Sequence, residues 1–133
     1  DLNGVTVLMG DFNSNAEGSS FADVGWTPTY DVITGAGFDD SWALADPEAE
    51  GLTCCHDSDL RNPAPTFDQR IDFVFLRASH LKGPRDIFPG YVDVEVVGDD
   101  PDLRTTPNGL WPSDHAGVVA NLGLDRGRFK KLR

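Results

Sequence analysis

Apolar positions along the chain gather into four short runs, separated by polar stretches rich in proline and glycine. The first, Val5-Thr6-Val7-Leu8-Met9, is bounded by Asn3-Gly4 and by Gly10. It is too short for a globular helix and predicts a buried strand. The second, Gln69 to Arg77, alternates so that Ile71, Phe73 and Phe75 share one face and Asp72, Val74 and Leu76 the other. The third, Tyr91 to Val97, sets Asp93 and Glu95 between valines, which predicts a strand with one wet face and two solvent-facing acids. The fourth enters at Ala116 and runs to Leu122, behind a long loop over 98–112 of the kind that often carries function. Between these runs, Tyr30 to Gly35 predicts a short helix, capped by Thr27 or Thr29 and stopped at Gly35 or Gly37. Gly51 to His56 predicts a short strand, and 78–90 a loop in which His80 is exposed. Phe21, Trp26, Phe38, Trp42 and Leu44 supply large apolar groups from loops and short helices to cover a sheet face. The sum is an α+β domain of mostly antiparallel strands with few short helices.

Three polar features interrupt this pattern. Asp11 and Asn13 stand where the first strand exits, so that a rigid sheet fixes their backbone while the loop frees their tips. A loop-starting Asp with an Asx-turn Asn is the sufficient explanation of them at this point. Asp72 lies inside an apolar strand, where aspartate is disfavoured, and a buried carboxylate needs a partner. Arg70, two residues back on the same face, is one candidate; a histidine or a metal ion is another. Asp114 and His115 stand where the long loop enters the fourth run.

Charge and cysteines narrow the field. The 133 residues carry 22 acidic and 11 basic side chains, a formal net charge of −11, with 39% hydrophobic residues. That suits one folded domain, 1–125, with a basic tail over 126–133 (Arg126, Arg128, Lys130, Lys131, Arg133). The acidic surface opposes a simple nucleic-acid-binding module. No apolar run is long enough to span a membrane, and the compartment is unassigned. Cys54 and Cys55 are adjacent; strand alternation would send their side chains to opposite faces, so they read as two small residues near a strand end. Asp39-Asp40 read as a cap or solvated charge, and Asp99-Asp100-Pro101-Asp102 lacks the spacing of a calcium loop.

If the strands bearing Asp11, Asp72 and Asp114-His115 are neighbours in one sheet, their side chains converge. Such an oxygen-rich set suits Mg²⁺ or Mn²⁺, not the Cys/His set that zinc favours. Gly10-Asp11-Phe12-Asn13, Arg70-Ile71-Asp72-Phe73 and Ser113-Asp114-His115 resemble, in order, the last three signature motifs of the endonuclease/exonuclease/phosphatase superfamily. The resemblance covers Val5 to Leu122 and implies the C-terminal half of a four-layer α/β/β/α sandwich, with metal-dependent hydrolysis of a phosphoester. It implies that Asp11 orients or deprotonates the attacking water, and that Asn13 donates to the phosphoryl group. Asp114 would be a ligand of Mg²⁺ or Mn²⁺, directly or through water. His115 would contact the scissile phosphate, with Asp72 fixing its tautomer, so that Arg70 becomes the weaker partner for Asp72. The superfamily's upstream asparagine, glutamate and histidine have no counterpart before Asp11. The expectation is therefore a chain that binds Mg²⁺ poorly, has little activity alone, and associates with the other half of the fold or with itself. A catalytically silent binding module is the alternative, and the phosphoester substrate (nucleic acid, phospholipid or sugar phosphate) is not specified.

Overall fold

The computed structural model describes residues 5–16, 28–78, 87–104 and 107–126. Its architecture is mixed α/β, with mostly antiparallel strands in two small sheets and few helices. The first sheet has three strands in the order β1 (Val5–Asp11), β3 (Asp72–Ala78), β2 (Asp39–Asp40). The second pairs β4 (Ile87–Val97) with β5 (Gly117–Arg126). Two short helices, α1 (Thr29–Gly35) and α2 (Ser41–Ala45), flank β2 in sequence.

The core is built on β3, whose β-branched and aromatic residues fit a central strand. Phe73, Phe75, Leu76 and Val74 are all buried, Phe75 completely. Phe75 and Phe73 lie together with Phe12 and Tyr30 in one aromatic cluster; Phe12 meets Phe75 edge-on at 5.4 Å, and Tyr30 lies 5.1 Å from Phe73. Burying each such ring is worth about 1.5–3 kcal/mol, which makes this cluster the main apolar contribution to the first sheet.

Arg70, at the entry to β3, pairs with Asp40, and both side chains are buried. The guanidinium also lies 5.0 Å from the Phe73 ring, a cation–π placement. Asp40 accepts from the Tyr30 hydroxyl at 3.1 Å and from the Trp42 amide at 3.0 Å. It is thus the N-cap of α2, satisfying a helix donor that would otherwise lack a partner. Adjacent Asp39 is exposed.

Several sequence expectations need correction. Strand β1 forms where predicted but is not buried: Val7, Leu8 and Met9 are exposed, Met9 by 72%. Among the described residues it lies at a sheet edge, paired on one side only, with β3. Helix α1 starts after Pro28, which has no side-chain acceptor to offer, and the Tyr30 amide donates to the Ser14 hydroxyl at 3.0 Å instead. Gly51 to His56 is not a strand; Cys54 makes only isolated bridges, to Gln69 and to His115. Strand β4 begins at Ile87 within the segment predicted as loop, because a register irregularity between Pro89 and Tyr91 absorbs the proline without ending the ladder. Its acids behave as expected, Asp93 and Glu95 being exposed while Val92, Val94 and Val96 are half-buried. The long loop contains a 3-10 turn, Pro101–Leu103, with Asp100 as its cap. Phe21, Trp26, Thr27, His80 and residues 127–133 of the tail lie outside the described residues.

The three motif-bearing strands do not share one sheet. Asp11 and Asp72 belong to neighbouring strands of the first, while His115 precedes β5 of the second.

Candidate active site

Antiparallel pairing of β1 with β3 sets Asp11 opposite Asp72. Gly10, with φ of +146°, lies within β1 immediately before Asp11. The chain then turns back on itself. The Asn13 amide donates to Asp11 Oδ1 at 2.8 Å, and Asn13 Nδ2 to Asp11 Oδ2 at 3.3 Å. Asn13 adopts φ of +48°, a left-handed conformation that asparagine tolerates better than most residues. The Asx-turn that explains this pair without function is present, and it also fixes the Asp11 carboxylate in an exposed position.

Asp72 is half-buried and its partner is His115, whose Nδ1 donates to Asp72 Oδ2 at 2.9 Å. A carboxylate can only accept, so the shared proton resides on Nδ1 and the Nε2 lone pair points away from Asp72. One ligand atom from each of Asp11, Asp72 and His115 lies within 4.8 Å of the others, a spacing at which the three could hold a metal ion. Arg70, the competing partner for Asp72, is committed to Asp40 instead.

What brings His115 across from the second sheet is the segment Thr53–His56, which bonds to both. Thr53 N donates to Gln69 O at 2.8 Å, and Ala116 N donates to Thr53 O at 2.9 Å. His56 N donates to Asp114 O at 2.8 Å. The fully buried Thr53 hydroxyl accepts from the amides of Ile71 and Asp72, each at 3.3 Å. One side chain thus touches the backbone of Asp72 while its own carbonyl holds the residue after His115. Sequence reasoning passed over Thr53. The only available signal was a threonine in a short apolar run, which says nothing of two distant segments meeting on it.

Asp114 stands at the same junction, but its carboxylate is exposed and belongs to neither metal-capable group among the described residues. Its Oδ1 lies 3.5 Å from the Ser113 hydroxyl, and that hydroxyl accepts from the His115 amide at 3.1 Å. Behind it His56 is buried, stacked on Trp111 at 3.9 Å with the planes 16° apart. His56 Nδ1 is 2.7 Å from Asn62 Nδ2, so Nδ1 accepts and the proton is on Nε2. Trp111 Nε1 in turn donates to Asn62 O at 2.7 Å. Burial holds the His56 pKa below its ordinary value; Asp114 and Asp57 oppose that shift, and Arg104 adds to it.

Cys54 and Cys55 correct a further expectation. The peptide between them is cis and their sulfurs are joined as a disulfide. Strand alternation does not apply to them, because this segment is not in a strand. Cys55 Sγ lies 3.9 Å from His115 Nε2.

No protein-family model matches the chain, and no match was found among curated proteins or solved structures.

Proposed function

We propose that the chain is the C-terminal half of an endonuclease/exonuclease/phosphatase-type sandwich, its two antiparallel sheets being parts of the two central layers. The proposed chemistry is divalent-metal-dependent hydrolysis of a phosphoester. The observation that supports this best is the Asp72–His115 hydrogen bond of 2.9 Å with Asp11 beside it, since two distant motifs and a third meet at one end of β3. The donor chemistry fits Mg²⁺ or Mn²⁺, which commonly take one or two carboxylates and complete their shell with water and phosphate oxygens. Asp11 and Asp72 are the carboxylates that would hold such an ion, with Asp114, which stands outside their group, reaching it through water, and it would supply Lewis-acid stabilisation of phosphoryl charge.

The remaining work falls to the side chains. Asp11, held by Asn13, accepts a proton from the attacking water. Asn13 donates from Nδ2 to a phosphoryl oxygen. His115 faces the phosphoryl oxygens with Nε2 and donates to the developing charge when that nitrogen carries a proton, and Asp72 keeps the ring in place. The test is hydrolysis of an activated aryl phosphodiester and the matching monoester by the full chain with Mg²⁺ or Mn²⁺. Slow, chelator-sensitive turnover is expected, lowered about 100-fold or more by Asp11→Asn and by His115→Ala. Turnover that survives either substitution, or none with either ester, would overturn the reading.

A silent assembly module is the second reading. It is favoured by the exposed Val7, Leu8 and Met9 on edge strand β1, an apolar row suited to association. Light scattering after gel filtration separates the two: a strict monomer counts against assembly.

A further inference from the structure

The Cys54-Cys55-His115 cluster has chemistry that the hydrolytic reading does not use. The geometry points to a second, redox-gated metal site in which the reduced sulfurs of Cys54 and Cys55, with His115 Nε2, take up a thiophilic divalent cation of the Zn²⁺ type. Ligand atoms of the three residues all lie within 4.8 Å of one another. Cys55 Sγ stands 3.9 Å from His115 Nε2. Zinc bonds of about 2.3 Å to sulfur and 2.0 Å to nitrogen, at a tetrahedral angle, put such a pair about 3.5 Å apart. A shift of a few tenths of an ångström in Cys55, which is exposed, closes that difference. Once the disulfide is reduced the two sulfurs must also part to about 3.8 Å, the spacing of two sulfurs on one tetrahedral zinc.

His115 is already prepared as a ligand. Its Nδ1 donates to Asp72, leaving the Nε2 lone pair on the side of the cysteines. A carboxylate behind the imidazole is the usual support for a metal-binding histidine, because it fixes the tautomer and raises ligand basicity. Two thiolates and an imidazole form a soft set that prefers Zn²⁺ to Mg²⁺. Three protein ligands leave a fourth position for water. Cys54 is buried and His115 half-buried, while exposed Cys55 gives the cation its approach.

Reduction must come first, since a disulfide sulfur is not a thiolate ligand. With a tertiary phosphine as reductant, phosphorus attacks one sulfur, the S–S bond breaks, and the other sulfur leaves as thiolate. Water supplies oxygen to phosphorus and its two protons to the sulfurs, so phosphorus is oxidised to phosphine oxide and both sulfurs are reduced. Metal binding then releases the two thiol protons. Because His115 serves both sets, a bound Zn²⁺ occupies the Nε2 that phosphoester hydrolysis requires. That consequence, unlike the site itself, rests on the function proposed above.

The experiment uses the full chain, reduced with a phosphine and freed of metal, titrated with Co²⁺ as a spectroscopic stand-in for Zn²⁺. The expected result is a thiolate-to-cobalt charge-transfer band that saturates near one Co²⁺ per chain and is bleached by Zn²⁺. The band should be absent from the oxidised protein and lost in Cys55→Ser, an exposed position that leaves the core intact. Asp72→Asn should weaken cobalt affinity about 10- to 100-fold. No band in the reduced protein, or a band unchanged by Cys55→Ser or present without reduction, overturns the site. Zinc inhibition of ester turnover is measured separately. A cobalt band with no hydrolytic activity in metal-free or Mg²⁺-loaded protein would sink the hydrolase reading and leave this site standing.

Discussion

Replacing Arg70 tests how the candidate site is held in place. Arg70 precedes Asp72 by two residues, and its guanidinium is buried against Asp40, which is itself 4% exposed. Arg70→Met keeps most of the apolar stem but removes the guanidinium from over Phe73 and leaves Asp40 as a buried, unpaired carboxylate. Breaking a buried pair from one side costs about 3–5 kcal/mol. Asp40 would retain its bonds from the Tyr30 hydroxyl and the Trp42 amide, which places the expected loss toward the lower end, about 3 kcal/mol. Domains are typically stable by about 5–15 kcal/mol, so the variant should fold but unfold at markedly lower denaturant. Asp40→Ala should cost at least as much, since it also removes the α2 cap, a further loss of about 1 kcal/mol.

The double variant Arg70→Met/Asp40→Ala separates the pair from its surroundings. It removes both charges, so its destabilisation should fall well short of the sum of the two single losses, by 2 kcal/mol or more on the scale typical of coupled neighbours, about 0.5–3 kcal/mol. Urea unfolding followed by tryptophan fluorescence measures all four proteins, and equal slopes would license the comparison. The corresponding cycle of Arg70→Met with Asp72→Asn should show much weaker coupling, because Asp72 is bonded to His115 instead. Additive losses for Arg70 and Asp40, or a coupling as large for Arg70 and Asp72, would refute the partner assignment and with it the account of Asp72.

Gly51→Ala should be strongly destabilising: φ at this position is +62°, and an added methyl group would meet the Trp42 indole at its ring fusion. A melting temperature within a degree or two of the parent would refute that. Thr53→Val removes the hydroxyl that accepts from the Ile71 and Asp72 amides and should cost about 1–3 kcal/mol, with Thr53→Ser retaining most stability in the same unfolding assay. His56 gives a pH dependence whose sign is fixed: its folded pKa is depressed by burial, so below about pH 6.5 the unfolded chain binds a proton that the folded chain resists. Stability should therefore fall as pH drops through that range, and His56→Gln should flatten the slope in thermal melts at pH 7.5 and 5.5. Tyr30, whose hydroxyl is desolvated beside Asp40, should ionise above its ordinary value of 10 in an ultraviolet titration.

The alternation in 69–77 was enough to place β3 and to mark Asp72 as a carboxylate in need of a partner, because the contradiction is local: one acid among apolar residues. The same reasoning made β1 a buried strand, and there it failed. An apolar run states that a segment prefers burial, but not whether a neighbouring layer is present to cover it, and Met9 is left 72% exposed. Arg70 stood as the weaker candidate for Asp72, and its own partner was not legible for a related reason. A residue two positions away on the same face is visible in sequence, whereas Asp40 arrives through β2, from thirty residues upstream. The vicinal cysteines were read by strand alternation in a segment that contributes only isolated bridges.

Asp11 and Asp72 are aligned by strand register, the most rigid device the fold has, but His115 lies just before a strand of the other sheet. Its distance to Asp72 is therefore set by whatever ties the sheets together at that point. Cys54 bridges both Gln69 and His115, and Thr53 holds the amide of Asp72 on its side chain and that of Ala116 on its carbonyl. Those bonds are short-range, so a displacement of 53–56 is passed directly to the gap between Asp72 and His115. The same four residues include Cys54 and Cys55. A chemical change at the sulfurs therefore occurs on the strut that spaces the two halves of the site, not at a remote surface. The Asp72–His115 geometry and thiol chemistry are coupled here by construction, because the segment that aligns His115 is also the one that sets two sulfurs beside it.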